Sequence, residues 1–332
     1  MRGKGINYDT GARVPAGWTR EEFDAAVVRR EMRVIADELH CTAVRVSGSD
    51  PDRLAVAAEQ AAEAGLEVWF APFPCDLTTE RLLALFADCA ARAESLRRKG
   101  ADVVLVTGGE LSIFAHGFLP GDDLLARLAL FATPGPELRS LLSAVPARLN
   151  AFLAEVVRTV RPAFGGKVTY AALPVERVDW TPFDYVAVDA YRGAHNAATF
   201  REEIRELHRH GLPVVVTEFG CCSYRGAADR GGRGWMIVDR DREPWRLDGD
   251  YVRDEEEQAS YLRDLLRVFE QENVDSAFWF TFAGYNHPHH PDPRYDLDLA
   301  SYGVVKIHPD LSWEPKSAFH ALAAAYGKGG AY

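Results

Sequence analysis

Eight short runs rich in apolar and β-branched residues alternate along the chain with amphipathic stretches of helical period, and this alternation constrains the fold most. The runs fall at residues 4–8, 42–46, 66–72, 101–107, 167–172, 184–188, 212–217 and 275–280. Helical periodicity falls near residues 21–39, 50–64, 79–99, 147–160, 199–210 and 255–273, with a last helix ending near Ala325. Thr19 with Glu22 three residues on reads as a capping box for the first helix. Gly65 and Gly100 stand where helices commonly stop. The run ADVVLVT is apolar almost throughout, as a strand covered on both faces should be. Strand and helix in alternation predict a parallel sheet, and eight strands favour closure. The expected class is therefore α/β, a single (β/α)8 TIM barrel spanning residues 1–332 as one domain. The competing reading is an open doubly wound sheet. No G-x-G-x-x-G turn follows the first strand, which weakens a dinucleotide site.

Two segments exceed what a strand-to-helix turn needs. Residues 111–146 follow the fourth strand and carry their own Pro-Gly punctuation, FLPGDD and TPGPEL. Residues 221–253 follow the seventh strand and are rich in Gly, Arg and Asp. Both are read as insertions. They leave from strand C-termini, the face on which barrels carry their active sites, so both are candidate walls of a site.

The 332 residues suit a barrel of about 250 residues with insertions. A hydrophobic content of 47% supports a large core. A net charge of -11 and the lack of any sustained Lys/Arg run argue against nucleic acid and anionic membranes as partners. No uninterrupted apolar run approaches about 18 residues, and no secretory signal stands at the N-terminus. Five irregularly spaced cysteines argue against a disulfide framework, and the expected location is the reducing cytoplasm. Oligomeric state is left open. The Arg-over-Lys and Ala-rich composition hints at a GC-rich bacterial genome.

The strand ends carry the chemistry. Asp9 follows strand one, Arg45 lies in strand two, and Glu110 follows strand four in VTGGELS. Asp189 and Tyr191 follow strand six in VAVDAYRG, Glu218 ends strand seven in TEFG, and Trp279 lies in strand eight in AFWFTF. Glu110 and Glu218 form the central pair. Cleavage of a glycosidic bond needs a carboxylic acid for the leaving oxygen and a second carboxylate as nucleophile or base. Arg45 and Tyr191 are placed to hold Glu218 ionised, and Trp279 offers a flat face to a sugar ring. Taken singly, each has a plainer explanation: a strand-end Glu near a helix dipole, a charge-balancing Arg, a core Trp. It is the joint pattern that points to a site.

That set resembles the clan A superfamily of retaining glycoside hydrolases, which share the (β/α)8 fold. The resemblance implies Glu218 as nucleophile and Glu110 as acid/base, with Arg45, Tyr191 and Trp279 around the substrate; the strand-end positions of Asp9 and Asp189, and His287 in the loop after strand eight, add these three to the expected substrate-binding set. It implies a small glycoside or oligosaccharide as partner; neither a cofactor nor a metal is expected. The closing segment SYGVVKIHPDLSWEPKSAFHAL is similar to the end of these enzymes, and TEFG is the most specific motif. The opening GKGINYDTG also resembles actinobacterial glycosidase-like proteins sometimes labelled abortive-infection proteins. One departure is clear. The superfamily places Asn before the acid/base Glu, where it binds the sugar 2-hydroxyl, and here the residue is Gly109. Altered substrate, recruitment of the barrel to other acid/base chemistry, and a non-catalytic sugar-binding barrel all accommodate that change.

The loop YNHPHHPDPRYD gathers His287, His289, His290 and Asp292, a set that could hold a transition metal. Its prolines impose an irregular path without a helical two-imidazole face, so a polar loop over the pocket is the preferred reading. Cys221 and Cys222 read as small buried fillers.

Overall fold

The computed structural model describes residues 1–132 and 135–327. Thr133 and Pro134 of the TPGPEL turn, and residues 328–332 of the expected single domain, lie outside the described residues. Eight strands make the principal sheet: β1 (Gly3–Asp9), β2 (Ala43–Gly48), β3 (Glu67–Pro72), β4 (Val103–Gly109), β5 (Lys167–Ala171), β6 (Val186–Asp189), β7 (Val214–Phe219) and β8 (Ser276–Trp279). Their order is β5-β4-β3-β2-β1-β8-β7-β6, all parallel. A parallel bridge between Ala172 and Val188 joins the two ends of that order. The sheet is thus a nearly closed (β/α)8 TIM barrel, and the open doubly wound alternative is excluded.

Among the described residues seven main helices accompany the strands: α1 (Ala25–Arg33), α2 (Pro51–Glu63), α3 (Thr79–Arg98), α4 (Pro136–Val160), α5 (Phe200–Glu206), α6 (Glu255–Gln271) and α7 (Ser317–Gly327). Their starts follow local chemistry. Asp50 accepts from the Asp52 and Arg53 amides ahead of α2, with Pro51 at the first helical position. Thr78 caps α3 and Asp254 caps α6. The expected capping box at Thr19 does not form. The Thr19 hydroxyl accepts from the Ala12 amide instead, and Asp24 accepts from Ala26 and Val27, so α1 starts later than the pattern suggested. In β4 and β7 every residue is buried, which explains the apolar runs 103–106 and 214–216 that open them.

Chain contacts group into two compact units. One comprises Met1–Asp9, Glu31–Val44 and Ala190–Tyr332; the other comprises Thr10–Arg30 and Arg45–Asp189. In the second unit, the helix after β4 begins at Pro136 rather than near residue 147, with Pro146 inside it. Pro136 occupies the first turn, where a missing N–H costs nothing, and Val145, Leu149, Phe152, Val156 and Val160 then follow at helical spacing and are buried. The intervening segment holds two short helices, Leu111–Phe114 and Leu124–Ala129. Among the described residues α4 is the one helix long and apolar enough to cross a membrane; it packs on α3. In the first unit, the segment after β7 holds a short helix (Ala227–Arg230), a 3-10 turn (Gly231–Ile237) and a small antiparallel hairpin pairing Val238–Asp239 with Arg246–Leu247.

Candidate active site

In the second unit, β4 runs out through Gly108 and Gly109 to Glu110. Gly108 has φ +88°, and a β-carbon there would meet the Phe86 ring at 3.0 Å. Glu110 itself has φ 49° and ψ 36°, in the left-handed region. A non-glycine residue pays about 1–2 kcal/mol for that conformation, and such strain collects at functional positions. The backbone holds it there. Its amide donates to Ala171 O at 2.9 Å, and its carbonyl accepts from Ile113 and Phe114 at 2.9 and 3.0 Å. The Glu110 side chain is half-buried.

A buried network fixes the turn that follows. The Glu176 carboxylate, fully buried, accepts from the Ser112 amide at 3.0 Å, the Leu173 amide at 2.9 Å and the Tyr170 hydroxyl at 3.0 Å. Tyr170 in turn accepts from the Leu111 amide at 2.7 Å. Burial pushes the Glu176 carboxyl above the usual carboxylate range against the pull of these donors. Arg127, also buried, donates to Ile113 O and Gly121 O and pairs with Asp76, which ties down the segment beyond Glu110. Arg45 is buried in β2, and its Nη2 lies 3.2 Å from where a β-carbon at Gly109 would stand. Asp189 is buried at the end of β6, with its amide bonded to Ala172 O at 2.9 Å.

In the first unit, Glu218 lies near the end of β7 and is 9% exposed. The Tyr191 hydroxyl donates to Glu218 Oε2 at 3.0 Å. The Tyr191 ring meets the Tyr302 ring edge-on at 5.9 Å. Tyr302 donates to Gly231 O at 2.7 Å and accepts from the Gly234 amide at 2.9 Å, so it fastens the turn after β7 beside Tyr191. Trp279 is fully buried. Its indole N–H donates to Tyr302 O at 3.1 Å and its ring packs edge-to-face on Phe219 at 5.3 Å. In this structure it supports Tyr302 and Phe219 from the core and does not present an exposed face to a sugar. Asp9 closes β1, half-buried. The buried Asn7, two residues before it, donates to Thr217 O at 2.9 Å.

His287 does not share partners with its neighbouring imidazoles. Its Nδ1 lies 2.7 Å from Asn286 Oδ1, and its Nε2 lies 3.3 Å from Arg240 Nη2. The arginine can only donate, so Nε2 accepts and Nδ1 carries the proton. Burial, with Arg240 and Lys316 nearby, pushes its pKa down to about 3, which keeps the ring neutral. His289 faces Asp296 at 2.9 Å, and His290 accepts from the Asp292 amide at 3.0 Å. Each of the three rings thus has hydrogen-bond partners of its own. Cys221 and Cys222 are fully buried, as fillers should be. Sequence reasoning missed Glu176, Tyr170, Tyr302 and Asn7. Only Asn7 left a signal, as a polar residue inside an apolar run.

No protein-family model matches the chain, and no curated protein matches it. Solved structures do. A beta-glucuronidase from Ruminococcus gnavus, solved with an N1-substituted uronic isofagomine, matches at 15% identity and TM-score 0.55, covering 98% of this chain and 49% of that one. Saccharomyces cerevisiae Gas2p with laminaripentaose matches at 14% identity and TM-score 0.56, over 99% of this chain and 65% of that one. Thermotoga maritima Cel5A, a mutant form with cellobiose, matches at 15% identity and TM-score 0.51, over 90% and 95%. This chain thus spans about half of the glucuronidase and two thirds of Gas2p. These neighbours are glycoside hydrolases, and at such identities the likeness is one of fold.

Proposed function

We propose that this chain is a retaining glycosidase acting on a small glycoside or oligosaccharide, with Glu218 as nucleophile and Glu110 as acid/base. The observation that carries the reading is the hydrogen bond from Tyr191 to Glu218 Oε2 at the C-terminal edge of the barrel. A phenol donating to a strand-end carboxylate orients it for attack on a carbon centre. The strained backbone at Glu110, on the C-terminal end of another strand of the same parallel sheet, supplies the second carboxyl.

In the proposed reaction a Glu218 oxygen attacks the anomeric carbon as the glycosidic C–O bond breaks. The Glu110 proton passes to the leaving oxygen. Water then attacks the glycosyl-enzyme ester, gives a proton to Glu110 and releases Glu218. The mechanism requires the two carboxyl groups about 5–5.5 Å apart across the substrate. Arg45, Asp189, Asp9 and His287 are proposed to line the pocket, with Trp279 acting from behind it.

The test uses an activated aryl glycoside. Glu218→Gln should abolish turnover, and azide should restore turnover to Glu110→Ala. Full activity in both variants would sink the proposal. A second reading, the same barrel turned to other acid/base chemistry, draws on Gly109. The resemblance puts a 2-hydroxyl-binding Asn there, and Arg45 borders that space here.

A further inference from the structure

The hairpin after β7 carries a cation that, among the described residues, forms no ion pair with an acid. Arg240 stands in the turn between its two short strands. Its guanidinium lies over the Trp235 ring at 5.0 Å and the Trp245 ring at 5.5 Å. Its Nη2 donates to His287 Nε2 at 3.3 Å, and its Nη1 reaches Val238 O at 3.5 Å. Those two contacts use two of five N–H groups. Among the described residues no carboxylate pairs with it: Asp239, next in the chain, takes Arg242 and Arg246 instead. Burial alone pushes its pKa down from the ordinary value, with no acid offsetting the cost. A partly desolvated guanidinium without an anion is expensive to keep, so an anion that arrives from outside is well rewarded.

A chain of contacts runs from the ring beneath this cation towards Glu218. Trp235 follows Gly234, whose amide is held by Tyr302, and Tyr302 packs on the tyrosine that donates to Glu218. We propose that Arg240, backed by neutral His287 and flanked by Trp235 and Trp245, binds the carboxylate of an acidic sugar, so that the substrate is a uronic-acid glycoside. The proposal rests on the glycosidase reading for the word substrate, and the binding site stands without it. Carboxylate is favoured over phosphate for two reasons. The planar guanidinium fork matches a carboxylate in two parallel bonds. A single uncompensated cation matches one negative charge, whereas a phosphomonoester carries nearly two, and the next cations, Arg242 and Arg246, are already paired.

Equilibrium binding of D-glucuronic acid, D-glucose and inorganic phosphate, measured calorimetrically without turnover, tests it. The wild-type protein should prefer glucuronate to glucose by about tenfold or more, as a charge-assisted pair supplies. Arg240→Gln should bring the two sugars to equal affinity, and Arg240→Lys should retain only part of the preference. Equal affinities in the wild type overturn the proposal even if Arg240→Gln fails to fold. A preference that survives in a folded Arg240→Gln also overturns it, as does phosphate bound as tightly as glucuronate. Glucuronate preference without turnover of any aryl glycoside defeats the hydrolase reading alone. Turnover without the preference defeats only this one.

Discussion

Arg45 Nη2 lies 3.2 Å from the point where a β-carbon on Gly109 would stand, and the Ala171 β-carbon lies 3.3 Å from the same point. A side chain at residue 109 would therefore press on two neighbours, one of them a buried cation, and each would have to give by a few tenths of an ångström. The crowding has a consequence for the residue that follows. Glu110 sits in a left-handed conformation one position on, so any shift at 109 is passed directly to it.

Gly109→Ala should therefore destabilise the fold modestly, by about 1 kcal/mol, the low end of the cost of crowding a packed space, since Arg45 and the Ala171 β-carbon must each give by a few tenths of an ångström. Urea unfolding of the variant against the wild type measures it. Stability equal to wild type would show that Arg45 gives way freely and that the glycine has another cause.

Tyr191→Phe deletes the hydroxyl that donates to Glu218 and leaves the ring against Tyr302. A hydrogen bond to a charged group contributes about 1.5–3 kcal/mol, which corresponds to a fall of roughly ten- to a hundredfold in kcat. The melting temperature should scarcely move. Steady-state kinetics on the activated aryl glycoside proposed as substrate provides the measurement, and an unchanged kcat would remove Tyr191 from the mechanism.

Glu176→Gln replaces an acceptor oxygen with an amide donor facing Ser112, Leu173 or Tyr170, at a cost of about 1–3 kcal/mol. The same residue shapes the pH dependence of stability. Its folded pKa is raised by burial, so the folded state holds the proton more tightly than the unfolded chain does. Its contribution is complete below the unfolded value of about 4.3 and is lost as pH rises through the raised folded value. Glu94 and Glu272 act in the opposite sense. Hydrogen bonds from Arg97 and from Arg205 lead in lowering each to about 2, so their contributions are present above the unfolded value and lost as pH falls toward 2. Unfolding free energies across pH 2 to 8 should show that Glu176→Gln flattens the decline above about 4.3 and leaves the acid limb intact. A variant that alters only the acid limb would refute this assignment.

The candidate site was legible in proportion to how local its signals are. Glu218 stands at the end of one strand that the apolar pattern marks and Tyr191 just after another, and the structure joins them by a hydrogen bond. Trp279 was visible as an aromatic in a strand, but whether it faces solvent or core depends on what packs over it, here Phe219 and Tyr302. Glu176 was illegible. It lies in a short turn after β5 and meets Ser112 across 64 positions of sequence, so no spacing rule links the two. Arg240 lay within a segment read only as rich in Gly, Arg and Asp, and its stacking on Trp235 and Trp245 depends on the fold of a hairpin with two-residue strands.

The sequence by itself determined the eight-strand alternation, and with it the barrel, because hydrophobic period is a local property that each segment expresses alone. It also determined which carboxylates stand at strand ends. Tertiary structure decided the rest. The start of α4 at Pro136, the failure of Thr19 to cap α1 and the burial of Trp279 follow from competing partners brought together from distant positions. So does the glycine before Glu110: the sequence shows that Asn is absent, and only the approach of Arg45 shows what stands beside that position instead.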